Sequence, residues 1–345
     1  MRNSIDYIIV GTGYAGLFMA HQLLKNSKKF IIFGDGEKSA SEVSAGMINP
    51  AILKKFTTFW LAQEQIDSLK ETLLEIENYT GKNYFIDQPV HRIFHDENEK
   101  NLWIKKSVDP VLSQFLSSDF KVYSEVKNPF GTGKVLQSGR LDVQSFFTDM
   151  KRFLHQNGNL VEERFRYEDL NVDHTIYHDI VYKNIIFCEG IAVKNNPFFA
   201  DIPIHPNKGH HLKVKLSKPL SEGETLKKKH FLFPLHHNQY YYGGTYDRDQ
   251  LNQEIDESAV EQLKFGLSEF YPENFEIEEV NFGFRPTVKD RRPILGQHSQ
   301  HKNLYVFNGL GARGILNANY FSQELYHLIE NGTALHPEID IDRFS

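Results

Sequence analysis

The hydrophobic pattern of the chain begins with a short apolar run at residues 7–10, which predicts a buried strand. A helix-like apolar spacing follows, and a second apolar run comes at 30–33. Two similar runs, at 184–188 and 304–307, lie far along the chain. Runs that are apolar on both faces are typical of parallel strands covered on both sides. We therefore predict a parallel sheet whose strands come from distant parts of the sequence.

From Lys208 onward the pattern changes to alternation. The segments 211–216, 230–235 and 240–245 have the two-residue period of antiparallel strands. Helical spacing predicts helices at 57–79, 97–106, 110–116, 142–156, 257–271 and 315–330. Asp142 is well placed to cap the helix that follows it. The sequence therefore predicts a βαβ domain that antiparallel segments interrupt.

Three glycines separate the first strand from the first helix, in the spacing of a dinucleotide-binding turn. Gly11 permits the tight turn, Gly13 lets the backbone approach a pyrophosphate, and Gly16 lets the helix pack on the strand. The phosphates would lie at the helix N-terminus, where free N–H groups and the dipole favour anions. Asp35 follows the second strand, near the expected ribose-binding acid. The alternatives are a turn without a ligand and a polar loop role for Asp35.

Composition narrows the class of protein. A chain of 345 residues can form two domains with substantial cores, and its net charge of −6 argues against broad nucleic-acid binding. The basic run at 227–229 is expected to be a solvated turn. The single cysteine, Cys188, excludes an internal disulfide and fits a cytoplasmic protein. The sequence predicts neither a signal peptide nor a membrane span.

Two pairs of adjacent histidines, His210-His211 and His236-His237, were the candidates for a metal site. Adjacent residues on a strand point to opposite faces, and neither pair has a third ligand at a suitable spacing. We therefore predict no metal centre.

Four stretches of the chain resemble the FAD-dependent oxidase family that contains the D-amino-acid, glycine and sarcosine oxidases. They are the glycine turn, 41–50, 202–210 and 283–315, the last with Gly-Phe-Arg-Pro-Thr and Asn-Gly-Leu-Gly-Ala-Arg-Gly-Ile. The last stretch is also similar to the oxidase half of the bifunctional tRNA wobble-uridine modification enzyme. The family usually has a glutamate directly after the second strand, whereas Asp35 comes one position later. The methyltransferase half of the tRNA enzyme is absent from the sequence.

The resemblance implies an α/β + β fold. A discontinuous, Rossmann-like FAD-binding domain would comprise 1–84, 140–205 and 286–345, and an antiparallel-sheet substrate domain would comprise 85–139 and 206–285. It also implies non-covalently bound FAD. The residues expected to contact FAD are Gly11, Gly13, Tyr14, Ala15, Gly16, Asp35, Gly46, Met47, Gly190, Gly309, Gly311, Arg313, Gly314 and Ile315. Met47 could equally be core filler.

By the same resemblance, Arg285 is expected to bind the carboxylate of the substrate. A guanidinium makes a planar two-point bond to carboxylate that lysine cannot copy. The alternative is a structural salt bridge between domains. Tyr242, Tyr246 and Arg313 are candidates for the pocket wall, with alternation placing Tyr241 on the opposite face from its neighbours.

The predicted function is an FAD-dependent oxidoreductase that oxidises the amine of a glycine-, sarcosine- or D-amino-acid-like substrate. Hydride transfer to the flavin is the expected reaction, with O2 or another acceptor taking the electrons. One alternative is a tRNA wobble-uridine side-chain oxidase. Another is a non-catalytic or electron-transfer flavin-binding protein. We expect no membrane partner, and nucleic acid only under the tRNA alternative; the oligomeric state stays open.

Overall fold

The computed structural model describes residues 3–220, 223–236 and 238–344, so His237 of the second histidine pair lies outside the described residues. The helices are α1 (Tyr14–Lys25), α2 (Ala62–Thr80), α3 (Glu97–Ser107), α4 (Val143–Gln156), α5 (Glu257–Ser268) and α6 (Gly314–Asn331). The strands are β1 (Asn3–Val10), β2 (Phe30–Phe33), β3 (Met47–Ile48), β4 (Ala51–Ile52), β5 (Thr57–Thr58), β6 (Phe85–Ile86), β7 (Val90–Ile93), β8 (Leu116–Lys121), β9 (Thr132–Val135), β10 (Gly139–Leu141), β11 (Leu160–Val161), β12 (Leu170–Asn171), β13 (Ile176–Tyr177), β14 (Ile180–Phe187), β15 (His205–Leu216), β16 (Thr225–Lys227), β17 (Phe231–Pro234), β18 (Gln239–Gly243), β19 (Phe275–Thr287), β20 (Ile294–Gln297) and β21 (Leu304–Asn308).

The first sheet is built around β1. Strands β2 and β14 flank β1 in parallel, β11 continues the sheet beyond β2, and β21 pairs in parallel with β14. The predicted parallel sheet of distant segments is therefore confirmed. Strands β12, β13 and β20 add antiparallel pairs at its margins.

Both faces of this sheet are covered, which explains its continuous apolar runs. Alternate residues of β1 enter different cores: Tyr7 and Ile9 pack with α1, α2, α4 and α6, whereas Ile8 and Val10 pack with segment 165–204. Helix α4 begins as predicted, because the Asp142 side chain accepts a hydrogen bond from the Ser145 N–H. The packed sheet therefore supports the loops that follow its strands.

The second sheet has the order β19-β15-β18-β17-β16-β7-β9-β8. Its pairs are antiparallel except β16 with β7. Strand β19 is not among the predicted elements, although β19 pairs with β15 from His205 to Leu216 and carries Arg285. Its run of glutamates hid the alternation, because the β19 residues between 276 and 279 are largely exposed.

The two faces of the second sheet pack against different parts of the protein. Leu212, Val214 and Tyr242 point to the face that α5 covers through Leu263 and Leu267. The intervening residues of the same strands face the opposite way, toward the first sheet. That second face carries the polar side chains described below.

Some local predictions were wrong. The helix expected from residue 57 begins at Ala62, because Thr57–Thr58 pairs as β5 with β4. The short helix expected at 110–116 is a series of turns. Among the described residues, no helix combines the length and apolarity needed to cross a membrane, and no three His, Cys, Asp or Glu side chains form a metal-binding group. The domain boundaries stay a prediction, although the two sheets draw their strands from the expected segments.

Candidate active site

A cleft opens where β1, β2, β14 and β21 end, at the carboxyl edge of the first sheet. Its first part is a cavity of about 550 Å³. The predicted cofactor residues in its wall are Gly11, Gly13, Tyr14, Ala15, Asp35 and Gly190. The glycine turn, the predicted ribose-binding acid and the end of β14 therefore meet in one place.

Two of the glycines in the turn leave no space for a side chain. Gly11 has φ +108°, and a Cβ there would lie 2.5 Å from the Cys188 carbonyl oxygen. A Cβ on Gly16 would lie 1.8 Å from the Gly11 carbonyl oxygen and 3.3 Å from Ile32. Gly16 is thus a packing residue between α1 and the sheet, and it does not line the cavity.

The N-terminus of α1 opens into the cavity without a cap from its own N-cap residue. Its N-cap is Gly13, and no acidic residue lies in the first turn. The Tyr14 N–H donates to Ser41 Oγ at 3.1 Å. Apart from that bond, the first-turn amides and the positive end of the helix dipole suit an anionic group, so this cradle fits a pyrophosphate.

Among the carboxylates that line the same cavity, Asp35 and Glu189 lie in different environments. Asp35 is exposed, and its Oδ1 accepts a hydrogen bond from the Glu37 N–H at 3.2 Å. Glu189 is missing from the sequence prediction; it accepts hydrogen bonds from the Tyr167 hydroxyl and, at 2.7 Å, from Asn196 Nδ2. Burial raises the pKa of the Glu189 carboxyl. The ribose contact of Asp35 stays a prediction.

A second cavity, of about 450 Å³, continues the cleft between the two sheets. Tyr14, Ser41 and Leu310 belong to the walls of both cavities, so the two adjoin. Its wall on the side of the first sheet includes the predicted residues Gly46, Met47, Gly311, Gly314 and Ile315. Its opposite wall is the polar face of the second sheet, which includes Arg285 and Tyr246.

Arg285 is held in this wall by neutral groups. Its Nη1 donates to Asn207 Oδ1 at 3.1 Å and to the Thr245 carbonyl oxygen at 3.0 Å. Its guanidinium carbon lies 4.4 Å from the centre of the Tyr246 ring, a cation–π distance. Within the described part of the chain Arg285 forms no ion pair, so the alternative of an interdomain salt bridge has no support there.

The neighbours of Arg285 are neutral near pH 7. Tyr241 stacks on His211 with ring centres 4.5 Å apart. Burial, reinforced by the charge of Arg285, lowers the pKa of His211 to about 4. Burial also raises the pKa of the Tyr241 hydroxyl. Arg285 is therefore the fixed positive charge of this part of the cavity.

The tyrosine prediction was partly wrong. Tyr246 lines the cavity, but Tyr242 is fully buried on the opposite face of the sheet, in the core under α5. Tyr241 lines the cavity instead. Alternation separated Tyr241 from its neighbours correctly, but which face met the cavity depended on where α5 packs.

Two further predicted residues lie outside the cavity walls. Arg313 stacks over the Phe59 ring at 4.5 Å, and burial lowers its pKa. Gly309 has φ +73°, and a Cβ there would lie 2.7 Å from Val288. Both therefore support the loop between β21 and α6 rather than line the cavity.

The basic run at 227–229 is not simply a solvated turn. Lys227 is the last residue of β16, and both Lys227 and Lys229 line the second cavity. Burial, with a smaller effect of the Arg92 charge, lowers the pKa of Lys227 to about 7. The sequence signal that could have identified a strand here is the β-branched and apolar pair Thr225-Leu226 directly before Lys227. Both residues are buried in the structure.

Comparisons with known proteins agree with this architecture. Residues 6–328 match the model of the family described as FAD dependent oxidoreductase (DAO). The chain is 24% identical over 349 residues to a glycine oxidase of Bacillus licheniformis, covering 92% of this chain and 91% of that protein. The crystal structure of glycine oxidase from Geobacillus kaustophilus superposes with a TM-score of 0.81 at 18% identity, over 97% of both chains.

A bifunctional relative matches as well. The chain is 23% identical over 383 residues to the tRNA 5-methylaminomethyl-2-thiouridine biosynthesis bifunctional protein MnmC of Leptospira interrogans, covering 93% of this chain. It spans 57% of that protein and 51% of a second bifunctional relative. Because the family match covers most of the sequence and the fold agrees with it, this chain belongs to the DAO family of FAD-dependent oxidoreductases.

Proposed function

We propose that this protein binds FAD non-covalently and oxidises the amine of a glycine-, sarcosine- or D-amino-acid-like substrate, with O2 as the electron acceptor. The observation that carries the proposal is Arg285, whose guanidinium lines the second cavity and, among the described residues, is anchored by neutral acceptors alone. A guanidinium held in a cavity without a counterion suits an anionic ligand. The similarity to glycine oxidases supports the same substrate class.

The residues present fit FAD along the whole cleft. The amides of the glycine turn and of the α1 N-terminus would hold the pyrophosphate, with Asp35 toward the ribose. Gly46, Met47, Gly311, Gly314 and Ile315 would flank the flavin ring in the second cavity. The N-terminus of α6 has no side-chain cap, so its dipole would favour negative charge on the ring.

FAD supplies the acceptor for the electron pair that leaves the substrate, which is why the protein needs mainly to bind and orient. Arg285 would fix the carboxylate and so position the carbon that bears the amine. The neutral His211 and Tyr241 add no competing charge beside it. Cys188 is buried at the end of β14, beside the first cavity, and burial raises its thiol pKa, so it is unsuited to attach the flavin covalently.

The test compares an acid substrate with its amide. Anaerobic reduction of bound flavin is measured with glycine or sarcosine and with glycinamide or sarcosinamide. The wild type should strongly prefer the acid, and Arg285→Ala should lose most of that preference. Arg285→Lys should retain flavin but lose about 10- to 100-fold in kcat/KM, since one point charge replaces a two-point bond.

Arg152→Lys, on the exposed surface of α4, is the matched control and should behave as wild type. Full acid preference in Arg285→Ala would contradict the role of Arg285. If no amine with a carboxylate reduced the wild-type flavin, amino-acid oxidation would be excluded.

The similarity to MnmC over 93% of this chain supports a second candidate, oxidation of a tRNA wobble-uridine side chain. Modified tRNA therefore belongs in the same substrate panel. Flavin reduction by tRNA alone would favour this candidate. Reduction by neither class would favour a non-catalytic or electron-transfer flavoprotein.

A further inference from the structure

The second cavity is lined by cations and contains no carboxylate among its described lining residues. Arg285, Lys227 and Lys229 all belong to its wall. The first cavity differs, because Asp35, Glu37, Glu163 and Glu189 line it together with basic residues. The charge of the second cavity is therefore not a general property of the cleft, and its wall has more cations than a single carboxylate requires.

Lys227 shares a face of the second sheet with Arg285. Lys227 is paired with Phe231, Phe231 with Gly243, and Gly243 with His211, so these four form one row across four strands. Directly opposed residues of antiparallel strands point to the same face. Arg285 lies on the next strand, and its partner Asn207 is an even number of residues from His211. The side chains of Lys227 and Arg285 therefore extend toward the cavity from opposite ends of the same face of the second sheet.

Both side chains lean toward the middle of that surface. The Arg285 guanidinium passes over Gly209 and comes within 2.9 Å of the position that a Cβ on Gly244, at the end of β18, would take. Lys227 Nζ lies 4.2 Å from the centre of the Phe231 ring, on β17. Both cations therefore extend over the same surface, between the strands that carry them.

Among the residues that the structure describes, no acidic side chain pairs with the Lys227 ammonium. Its described partners are the Lys229 carbonyl oxygen, which accepts at 2.9 Å, and the Phe231 ring. Two other partly buried lysines are paired, Lys28 with Glu330 and Lys151 with Glu42 at 2.7 Å, whereas the buried Lys208 is held by the neutral oxygens of Asn252 and of the Glu254 carbonyl. A half-buried amine without an acidic partner is stabilised in its charged form when an anion binds beside it.

We propose that Lys227, assisted by Lys229 at the rim, binds a second carboxylate of the substrate, so that the preferred substrates are amino acids carrying an additional carboxylate on the nitrogen substituent or side chain. This inference rests on the proposed function, in which Arg285 binds the first carboxylate. Two cations on one surface suit two carboxylates of one ligand, each with a charge-assisted hydrogen bond of about 2.8 Å. The alternative is that Lys227 is only a solvated side chain at the rim of the cavity and binds no ligand.

The test uses the FAD-loaded protein and substrates that differ by one group. Sarcosine has one carboxylate, iminodiacetate has a second, and N-(carbamoylmethyl)glycine replaces the second by a neutral amide of similar size. The kcat/KM for anaerobic flavin reduction should be about 10- to 100-fold higher for iminodiacetate than for either partner compound. In Lys227→Met, the kcat/KM for iminodiacetate divided by that for the amide should fall toward unity. Lys227→Arg should retain most of the wild-type preference for iminodiacetate.

Lys215→Met is the matched control, because Lys215 is exposed on β15 and lines neither cavity. It should leave every ratio as in the wild type. A second readout needs no turnover: binding of diglycolate and of methoxyacetate, which lack an amine, is measured by titration calorimetry. Diglycolate should bind more tightly, and Lys227→Met should remove that advantage.

The outcomes separate the two proposals. If sarcosine and iminodiacetate reduced the flavin equally well and Lys227→Met changed no ratio, the second carboxylate site would be wrong while amine oxidation stood. If no amine acid reduced the flavin but diglycolate bound through Lys227, amine oxidation would be wrong while the anion site stood. Flavin reduction by modified tRNA alone, without a Lys227-dependent preference for diglycolate, would overturn both.

Discussion

The guanidinium of Arg285 lies directly over Gly209 on the neighbouring strand. A Cβ built on Gly209 would be 2.3 Å from both Nη1 and Nη2 of Arg285. The two residues are close because the strands β15 and β19 pair along their whole shared length, with Gly209 opposite Gly283 and Asn207 opposite Arg285. Gly209 thus provides the space through which the arginine reaches the middle of the cavity.

Gly209→Ala should displace the guanidinium and weaken binding of acid substrates. The fold should survive, because the obstructing atoms are the far end of a flexible side chain and Gly209 needs no positive φ. We expect normal flavin content and a KM raised by about 10-fold for glycine-like acids, with little change for their amides. Steady-state kinetics measures the effect. Gly223→Ala is the control, since a Cβ there meets nothing within 4 Å; an unchanged KM in Gly209→Ala would refute the steric argument.

Gly13→Val should give a folded protein without flavin. Gly13 is the N-cap of α1 and lines the first cavity, and a Cβ there already lies 3.2 Å from Ser41 Oγ. The branched side chain would occupy the place where a pyrophosphate approaches the backbone. Flavin absorbance measures occupancy, and circular dichroism verifies the fold. A yellow Gly13→Val protein would contradict the proposed phosphate cradle.

Acid precipitation of the holoenzyme should release its flavin as intact FAD. The sole cysteine is 5% exposed, and its pKa is raised by burial, so a reactive thiolate is disfavoured. Chromatography of the supernatant distinguishes FAD from FMN. Flavin that stays with the pellet would disprove non-covalent binding. FMN in the supernatant would disprove the proposal that the first cavity binds the adenosine half of FAD.

The preference for a second carboxylate should decline as pH rises through about 7. Burial, then the Arg92 charge, lowers the pKa of Lys227 to about 7, so its amine is charged below that pH and neutral above it. The other groups near it do not change charge there: burial holds the pKa of His230 at about 4, and Arg92 stays paired with Glu99. Binding of diglycolate relative to methoxyacetate should therefore weaken by up to about tenfold per pH unit above 7. A pH-independent ratio in the wild type, matching that of Lys227→Met, would speak against Lys227.

Much of the architecture could be predicted because it depends on local pattern. The apolar runs of β1, β2, β14 and β21 required cover on both faces, which a parallel sheet between packed layers provides. Gly11 and Gly16 could be assigned because only glycine tolerates the close backbone approaches of that turn. Asp142 could be assigned as a helix cap because its side chain acts on a residue three positions away.

The sequence by itself therefore determined the first sheet, the glycine turn and the family. Tertiary structure alone decided which face of the second sheet meets the cavity, and therefore that Tyr241 rather than Tyr242 lines it. It also decided that Lys227 lines the cavity, because that depends on β16 joining the row of strands that ends at β15 and β19. Hydrophobic period specifies how side chains alternate along one strand, but which of the two faces becomes core is fixed only when a distant helix such as α5 packs against it.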